Sequence, residues 1–254
     1  MRKLTEIMVL SITVLVSSVM GNPVLIDFGN NTSWRGASVT SPDSNGNYWN
    51  SVDSTKYWSN LTNSAGTATT INFGFGTAGG TDSYNGPAGA TAVTGPGNAS
   101  TSYTNAVIDA TALGIFGNKA AAFDYYVNST FTIQGLDPTK TYNLTFFGSH
   151  KYSTDNATVY TIYTSNDYLT AVSSASLNVQ TPGASWLHNS NTVVTISNVS
   201  PQFANSIWIG FKGADGNSGY LNAMSIEAIP EPATIGMLGL GAIGMLILRR
   251  LRNS

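Results

Sequence analysis

The stretch between residues 22 and 229 predicts an all-β domain, an antiparallel β-sandwich. Short apolar or alternating runs recur along this stretch, and Gly, Asn, Asp and Pro separate them. Evenly spaced short strands with turn residues between them are typical of sandwiches and barrels. Outside the two termini, no segment keeps a helical period over several turns. The stretch is also long enough to enclose one substantial core.

Strands are predicted wherever an apolar run or an apolar–polar alternation is bounded by turn residues. The run VLIDFG ends on Gly29, and TTINFGFG alternates as a half-buried strand does. Residues 77–100, rich in Gly, Ala, Thr, Ser and Pro, predict a long surface loop. The predicted strands cover residues 24–29, 69–76, 106–110, 131–133, 142–146, 157–164, 177–180, 193–197, 207–211 and 221–228.

Residues 131–146 give the strongest local signal, two alternating strands joined by a turn. Tyr142, Leu144 and Phe146 should share one face, because strand side chains repeat every two residues. The spacing of Leu136, Pro138 and Tyr142 resembles the corner of fibronectin type III modules, where a tyrosine hydroxyl ties down the preceding turn. The resemblance is confined to this segment, so it implies a local corner and not that whole fold.

Charge is scarce in this chain. Asp, Glu, Lys and Arg make up 9% of the residues, and the formal net charge is −2. Nucleic-acid binding requires clustered Lys and Arg, so the composition argues against it. There is no Cys, which excludes disulfides and thiol chemistry. Stability is therefore expected to come from apolar burial and sheet hydrogen bonds.

The N-terminus has the pattern of a signal peptide. Arg2 and Lys3 provide a basic start, residues 7–20 are apolar apart from Ser and Thr, and residues 19–21 allow cleavage before Asn22. An uncleaved N-terminal anchor is the alternative. In both cases residues 1–21 direct export and take no part in the folded domain.

The C-terminus has three parts in a fixed order. Pro230-Glu231-Pro232 forms a spacer that its prolines keep extended. Residues 233–248 carry no charge and approach the roughly 20 residues that a membrane-spanning helix needs. Arg249, Arg250 and Arg252 then predict a cytoplasmic C-terminus.

This tail resembles the PEP-CTERM sorting signal of Gram-negative, often biofilm-forming bacteria. The resemblance implies a partner, an exosortase, which is a membrane-embedded cysteine-type transpeptidase that would cut near Pro232. It also implies an association with exopolysaccharide export, anchoring in the inner membrane before processing, and a final place at the cell surface or in the extracellular matrix. An ordinary membrane anchor is the alternative. The domain boundaries follow: signal peptide 1–21, sandwich 22–229 and sorting signal 230–254.

The first and last segments of the sandwich, residues 25–29 and 219–227, also look like exported jelly-roll domains related to galactose-binding and carbohydrate-binding modules. That loose resemblance implies a jelly-roll-like sandwich in which the opening and closing strands pair with each other. It supports an architecture better than it supports a ligand.

The acids and histidines give weak support for catalysis, and no catalytic residue is predicted. Glycoside hydrolysis usually needs two opposed carboxyls, whereas the only Glu of the domain, Glu227, lies on its last strand. Ser149, His150 and Asp155 lie in one loop, where a histidine is usually solvated and a rigid triad is not expected. His188 has no visible partner, and two His without Cys argue against zinc.

Calcium is the cofactor left open. Asp43, Asn45 and Asn47 alternate as oxygen donors, and Asp53 follows. An EF-hand would need Glu where Ser54 stands. The alternative, favoured by the turn-forming residues, is an Asx turn.

Five tryptophans are candidates for packing or for sugar binding. Trp34, Trp49, Trp58 and Trp186 occur in polar, loop-like contexts and are candidates for a sugar-stacking platform, although core or lid packing is favoured for any one of them. Trp208 stands between Ile207 and Ile209 and is predicted to face the opposite layer.

The sequence thus favours an exported, non-catalytic protein that is structural or adhesive in an exopolysaccharide matrix. A carbohydrate-binding module is the second hypothesis, to be distinguished by an exposed aromatic platform. A glycoside or ester hydrolase is the third, and it would require converging acids or a His-activated Ser.

Overall fold

A computed structural model describes residues 21–29, 38–53, 57–76, 82–84, 108–150, 157–179 and 189–229. The strands in this part of the chain are β1 (Val24–Phe28), β2 (Asn50–Val52), β3 (Tyr57–Trp58), β4 (Asn72–Phe75), β5 (Asp82–Tyr84), β6 (Asp124–Val127), β7 (Ser129–Gln134), β8 (Thr141–Phe147), β9 (Ala157–Tyr163), β10 (Ala171–Asn178), β11 (Val194–Val199), β12 (Ile207–Gly213), β13 (Tyr220–Leu221) and β14 (Ala223–Ile229). The described helices are α1 (Ala110–Leu113), α2 (Lys119–Phe123) and the 3₁₀ turns Gly114–Phe116, Phe203–Asn205 and Ala214–Gly216.

The first and last strands lie side by side in one sheet. β1 and β14 are antiparallel, with Val24 opposite Ile226 and Asp27 opposite Ala223. They belong to a five-stranded sheet of order β11-β8-β14-β1-β2, in which β1 and β2 are parallel and the other neighbours antiparallel. The pairing of opening and closing strands that the jelly-roll resemblance implied is therefore confirmed.

The second sheet has six strands in the order β10-β9-β12-β7-β4-β3, all antiparallel to their neighbours. A smaller sheet of order β13-β6-β5 adjoins them. The described chain is thus mostly antiparallel β-structure, as predicted for a sandwich.

The main core is built from the inward-facing side chains of the two large sheets. On β8, Tyr142, Leu144 and Phe146 all belong to it, which confirms the predicted shared face. Phe146 stacks on Tyr160 of β9, with ring centroids 4.5 Å apart. Burial of such rings is the largest stabilising contribution available to a chain without disulfides.

A second apolar cluster covers the other side of the five-stranded sheet. Leu25 and Phe147 point into it from β1 and β8, because neighbouring residues on a strand face opposite ways. Trp49 and Phe116 pack over them, with their ring centroids 6.3 Å apart. The two short helices and residues 38–49 therefore form an additional layer that the strand pattern alone does not predict.

The predicted strand at residues 106–110 is wrong where the structure describes it. Ile108 and Asp109 are not in a strand, and α1 begins at Ala110. Asp109 caps this helix, since its side chain accepts the N–H of Ala112 at 3.0 Å. A short apolar run looks alike in a strand and in a buried helix, so the capping residue is the better local signal.

Two further differences concern loops and edges. Residues 82–84 form β5 within the stretch predicted as loop, whereas residues 77–81 and 85–107 lie outside the described residues. β10 begins at Ala171, six residues before the predicted start at Leu177. β10 is an edge strand and is largely exposed. Its serines interrupt the apolar pattern from which strands are predicted, so the pattern does not reveal it.

The predicted corner is present, because the Tyr142 hydroxyl accepts the backbone N–H of Asp137. The predicted signal peptide, residues 1–21, and the predicted membrane helix, residues 233–248, lie outside the described residues except for Gly21. Within the described part of the chain, no helix combines the length and hydropathy required to cross a bilayer.

Candidate functional site

Asp43 organises a tight turn with its own carboxylate. Its Oδ1 accepts the backbone N–H groups of Asn45 at 2.8 Å and Asn47 at 2.9 Å. Its Oδ2 accepts the indole N–H of Trp49 at 2.9 Å. Burial opposes ionisation, but these hydrogen bonds outweigh it and hold the pKa of Asp43 below its ordinary value. The alternating oxygen donors of the sequence thus form an Asx turn.

The predicted calcium ligands differ in their exposure to solvent. Asp43 and Asp53 are buried, at 7% and 5% exposure, whereas Asn45 is exposed and Asn47 half-buried. Across the described ranges, no three His, Cys, Asp or Glu side chains gather in a metal-binding arrangement. The Asp43 oxygens already accept N–H groups, so a cation would have to compete with them. Calcium at these four residues stays a prediction.

The structure describes two of the four candidate platform tryptophans, Trp49 and Trp58. Trp49 is buried in the second cluster, so its ring presents no face to a ligand. Trp58 is half-buried and packs against the main core. Trp34 and Trp186 lie outside the described residues.

His150 is fully buried, contrary to the expectation of a solvated loop histidine. Its ring stacks on that of Tyr220, with centroids 4.0 Å apart and planes 7° from parallel. Ser149 is buried as well, and its N–H donates to the side-chain oxygen of Asn222 at 2.6 Å. Ser149 and His150 are therefore packing residues that follow the end of β8. Asp155, the third residue of the triad considered in the sequence, lies outside the described residues.

Asp27 is an acid that sequence reasoning left unassigned. It is fully buried on β1, where its Oδ2 accepts the Val39 N–H at 2.9 Å and the Ser51 hydroxyl at 3.2 Å. Its Oδ1 has no hydrogen-bond partner within the described structure. Burial raises the pKa of Asp27 to about 7, against the opposing effect of the two hydrogen bonds. The position of Asp27 inside the apolar run VLIDFG was the feature of the sequence that could have indicated a buried carboxyl group.

Trp208 points away from the main core, so the prediction that it faces the opposite layer is wrong. Ile207 and Ile209 belong to the core, and alternation along β12 sends Trp208 to the other side. We call this side, turned away from the main core, the outer face of the six-stranded sheet. Trp208 is nevertheless 7% exposed, so other side chains cover it.

One row of residues crosses the outer face. Strand pairing places Tyr163 beside Trp208, Trp208 beside Thr132, Thr132 beside Gly74 and Gly74 beside Tyr57. A neighbouring row contains Thr161, Gly210 and Thr130. The outer face therefore combines aromatic rings and hydroxyl groups with strand glycines.

Tyrosines lie over these glycines. A Cβ atom added to Gly210 would stand 3.0 Å from Cε2 of Tyr163, and one added to Gly74 would stand 2.9 Å from Cδ2 of Tyr57. Each ring therefore leans along the sheet instead of standing away from it. A glycine inside a strand often marks such a close approach, which is the signal by which the sequence could have indicated this face.

Tyr168 reaches the same face from the β9–β10 turn. Its hydroxyl lies 3.2 Å from the Thr132 hydroxyl, and its ring meets that of Tyr163 edge to face, with centroids 5.6 Å apart. Since Trp208 lies between Tyr163 and Thr132 in the row, Tyr168 crosses above Trp208. This arrangement accounts for the burial of Trp208 and supports the ring of Tyr163.

Two adjoining clefts follow from this geometry. The first, of about 190 Å³, is lined by residues that include Thr130, Thr161, Tyr163 and Gly210. The second, of about 560 Å³, extends past the 3₁₀ turn at 214–216. Both are lined by Asn128 and Lys212, so we call them together the outer groove.

Comparison with known proteins supports the sorting tail. Residues 228–252 match the family model of the PEP-CTERM protein-sorting motif, which confirms the motif predicted from the sequence. No curated protein matches the chain significantly. Among solved structures, "Truncated AlyQ with CBM32 and alginate lyase domains" is similar at 16% identity and a TM-score of 0.28. The match covers 59% of this chain and 32% of that one.

Proposed function

We propose that this protein is exported, sorted through its C-terminal PEP-CTERM signal by an exosortase-type transpeptidase, and then serves as a non-catalytic structural or adhesive component of an exopolysaccharide matrix. The observation that carries the proposal is the match of residues 228–252 to the sorting motif. In this proposal the inner membrane holds the tail before processing, and the domain acts at the cell surface or in the matrix.

The junction between domain and tail suits this role. β14 ends at Ile229, and Pro230-Glu231-Pro232 follows immediately. Prolines on both sides of Glu231 prevent the strand and the apolar segment from continuing into the spacer. The processing enzyme would therefore meet an extended peptide at the membrane surface, with Glu231 as a charge that it can recognise.

The experiment that tests the proposal replaces Pro230-Glu231-Pro232 by three alanines in the native host. Immunoblots of membrane and secreted fractions should show uncut protein accumulating in the membrane fraction. Replacement of Asn253 and Ser254 by alanine, outside the matched residues, is the control and should leave processing unchanged. Alanines at Arg249, Arg250 and Arg252 should instead disturb insertion or orientation, because cytoplasmic cations fix topology. A triple-alanine protein released at processed size would identify a plain anchor and refute the sorting role.

A further inference from the structure

We propose that the outer groove binds a stretch of acidic polysaccharide, with Tyr163 as the stacking surface and Lys212 as the group that pairs with a carboxylate of the sugar chain. The proposal rests on the proposed function, since it names the ligand through which the domain would adhere to a matrix. It assigns the binding site to tyrosines on a sheet face instead of to the tryptophans predicted from the sequence.

Tyr163 has the properties of a stacking residue. A pyranose ring presents one apolar side of C–H groups, which packs against the face of an aromatic ring. Tyr163 is half-buried, with Gly210 beneath it and the Tyr168 ring 5.6 Å away. The ring is therefore held along the sheet before any ligand arrives, which reduces the entropy lost on binding.

The groove lining supplies hydrogen-bonding groups suited to sugar hydroxyls. Thr130 and Thr161 flank Gly210 on the two neighbouring strands, where Thr130 is half-buried and Thr161 is 8% exposed. Asn128 accepts the Gly219 N–H at 2.6 Å through its amide oxygen, which fixes the side chain and leaves its NH₂ group as a donor. A mostly apolar surface with a few fixed polar groups is typical of ligand sites.

Lys212 gives the groove its charge preference. The structure describes Lys119, Lys140 and Lys212 among the cations of the chain, and Lys140 pairs with Asp137 at 3.5 Å. Lys212 is exposed, lines both clefts and forms no ion pair within the described ranges. It lies four residues along β12 from Trp208, the neighbour of Tyr163, or about 13 Å. An extended chain stacked on Tyr163 can therefore reach Lys212 with a carboxylate.

The test is affinity electrophoresis of the full-length protein in detergent, with polygalacturonate as the acidic probe and linear galactan as the neutral one. The wild-type protein should be retarded by polygalacturonate more than by galactan, and salt should weaken the retardation. Tyr163→Ala should lower affinity by about tenfold or more, the scale on which truncation of a central aromatic contact residue to alanine weakens binding. Tyr163→Phe should retain binding, and Lys212→Gln should reduce both affinity and its salt dependence.

Tyr57→Ala is the matched control. Tyr57 also lies over a glycine of the outer face, but four strands away from Tyr163, or about 19 Å, so polygalacturonate should bind this variant normally. If Tyr163→Ala fails to fold, Gly210→Ala provides the second variant, because its Cβ would stand 3.0 Å from Cε2 of Tyr163. It should displace the ring and lower affinity.

The outcomes separate the two proposals. Unchanged binding by Tyr163→Ala would show that the tyrosine only covers a glycine, and would overturn the inference. Equal loss in Tyr57→Ala, equal retardation by galactan, or unchanged affinity in Lys212→Gln would also overturn it. If neither polymer retards the wild-type protein while its tail is still processed, the groove assignment fails and the sorting role stands.

Discussion

The Tyr142 hydroxyl lies 2.8 Å from the backbone nitrogen of Asp137, across the turn that joins β7 to β8. The oxygen accepts this N–H and stands 3.4 Å from the Asp137 carbonyl oxygen. Burial, more than any other effect, raises the pKa of the Tyr142 hydroxyl, so the group remains a neutral hydroxyl at physiological pH. The contact fixes the path of the chain between the two large sheets.

Tyr142→Phe should lower the free energy of unfolding by about 1 kcal/mol, because it leaves the Asp137 N–H without this partner. Urea denaturation of the full-length protein in detergent measures the change. Tyr57→Phe is the matched control. Its hydroxyl bonds Gln134 at the exposed surface, and its effect should stay within about 0.5 kcal/mol. Equal midpoints for wild type and Tyr142→Phe would contradict a structural role for the corner.

Asp43 and Trp49 should be energetically coupled through their 2.9 Å hydrogen bond. Asp43→Asn brings an NH₂ group towards the indole N–H, and Trp49→Phe removes that N–H. A double-mutant cycle measured by urea denaturation should give a coupling of about 1.5 kcal/mol, the scale for hydrogen bonds to charged groups. Additive single effects would mean that the contact contributes nothing of its own.

The raised pKa of Asp27 predicts that its contribution to the free energy of unfolding decreases as the pH rises. Its pKa is raised from 3.8 to about 7 in the folded chain, so between these values the folded state keeps a proton that the unfolded state has released. The stabilising contribution is full below pH 3.8 and is lost as the pH rises through about 7, with a slope of at most about 1.4 kcal/mol per pH unit.

The Asp27→Asn variant isolates this term, because it imitates the protonated acid at every pH. Unfolding midpoints of the two proteins should be compared at intervals from pH 4 to pH 8. The wild-type protein should lose stability relative to the variant as the pH rises. Parallel profiles would show that Asp27 keeps the same charge on folding. The lowered pKa values of Asp43, Asp137 and Asp167 act in the opposite direction, and they cancel in the comparison.

The sequence predicted those parts of the fold that follow from local alternation. Tyr142 and Phe146 share a face because the strand period is two. The same rule predicts that Trp208 points away from the core once Ile207 and Ile209 are assigned to it. The helices at 110–123 escaped prediction because each is shorter than the windows in which a helical period becomes visible.

The candidate site was less predictable, because it depends on strand order. Tyr163, Trp208 and Thr132 are neighbours only once β9, β12 and β7 have taken their places in the sheet. Trp49 looked like a loop tryptophan, but Asp43 and Phe116 hold it inside a second layer. Gly210, inside the run IWIGF, was the one local sign that something lies close above the strand.

The position of β14 has a mechanical consequence. The strand is held on both sides, with seven residues opposite β8 and four opposite β1, and it leads directly into the sorting motif. A pull on the tail directed along the strand axis would meet ladder hydrogen bonds that run across that axis. Those bonds would bear the load together in shear and would not open one after another, as they do when an edge strand is peeled away. Pulled in that direction, β14 would be held by all of these hydrogen bonds at once.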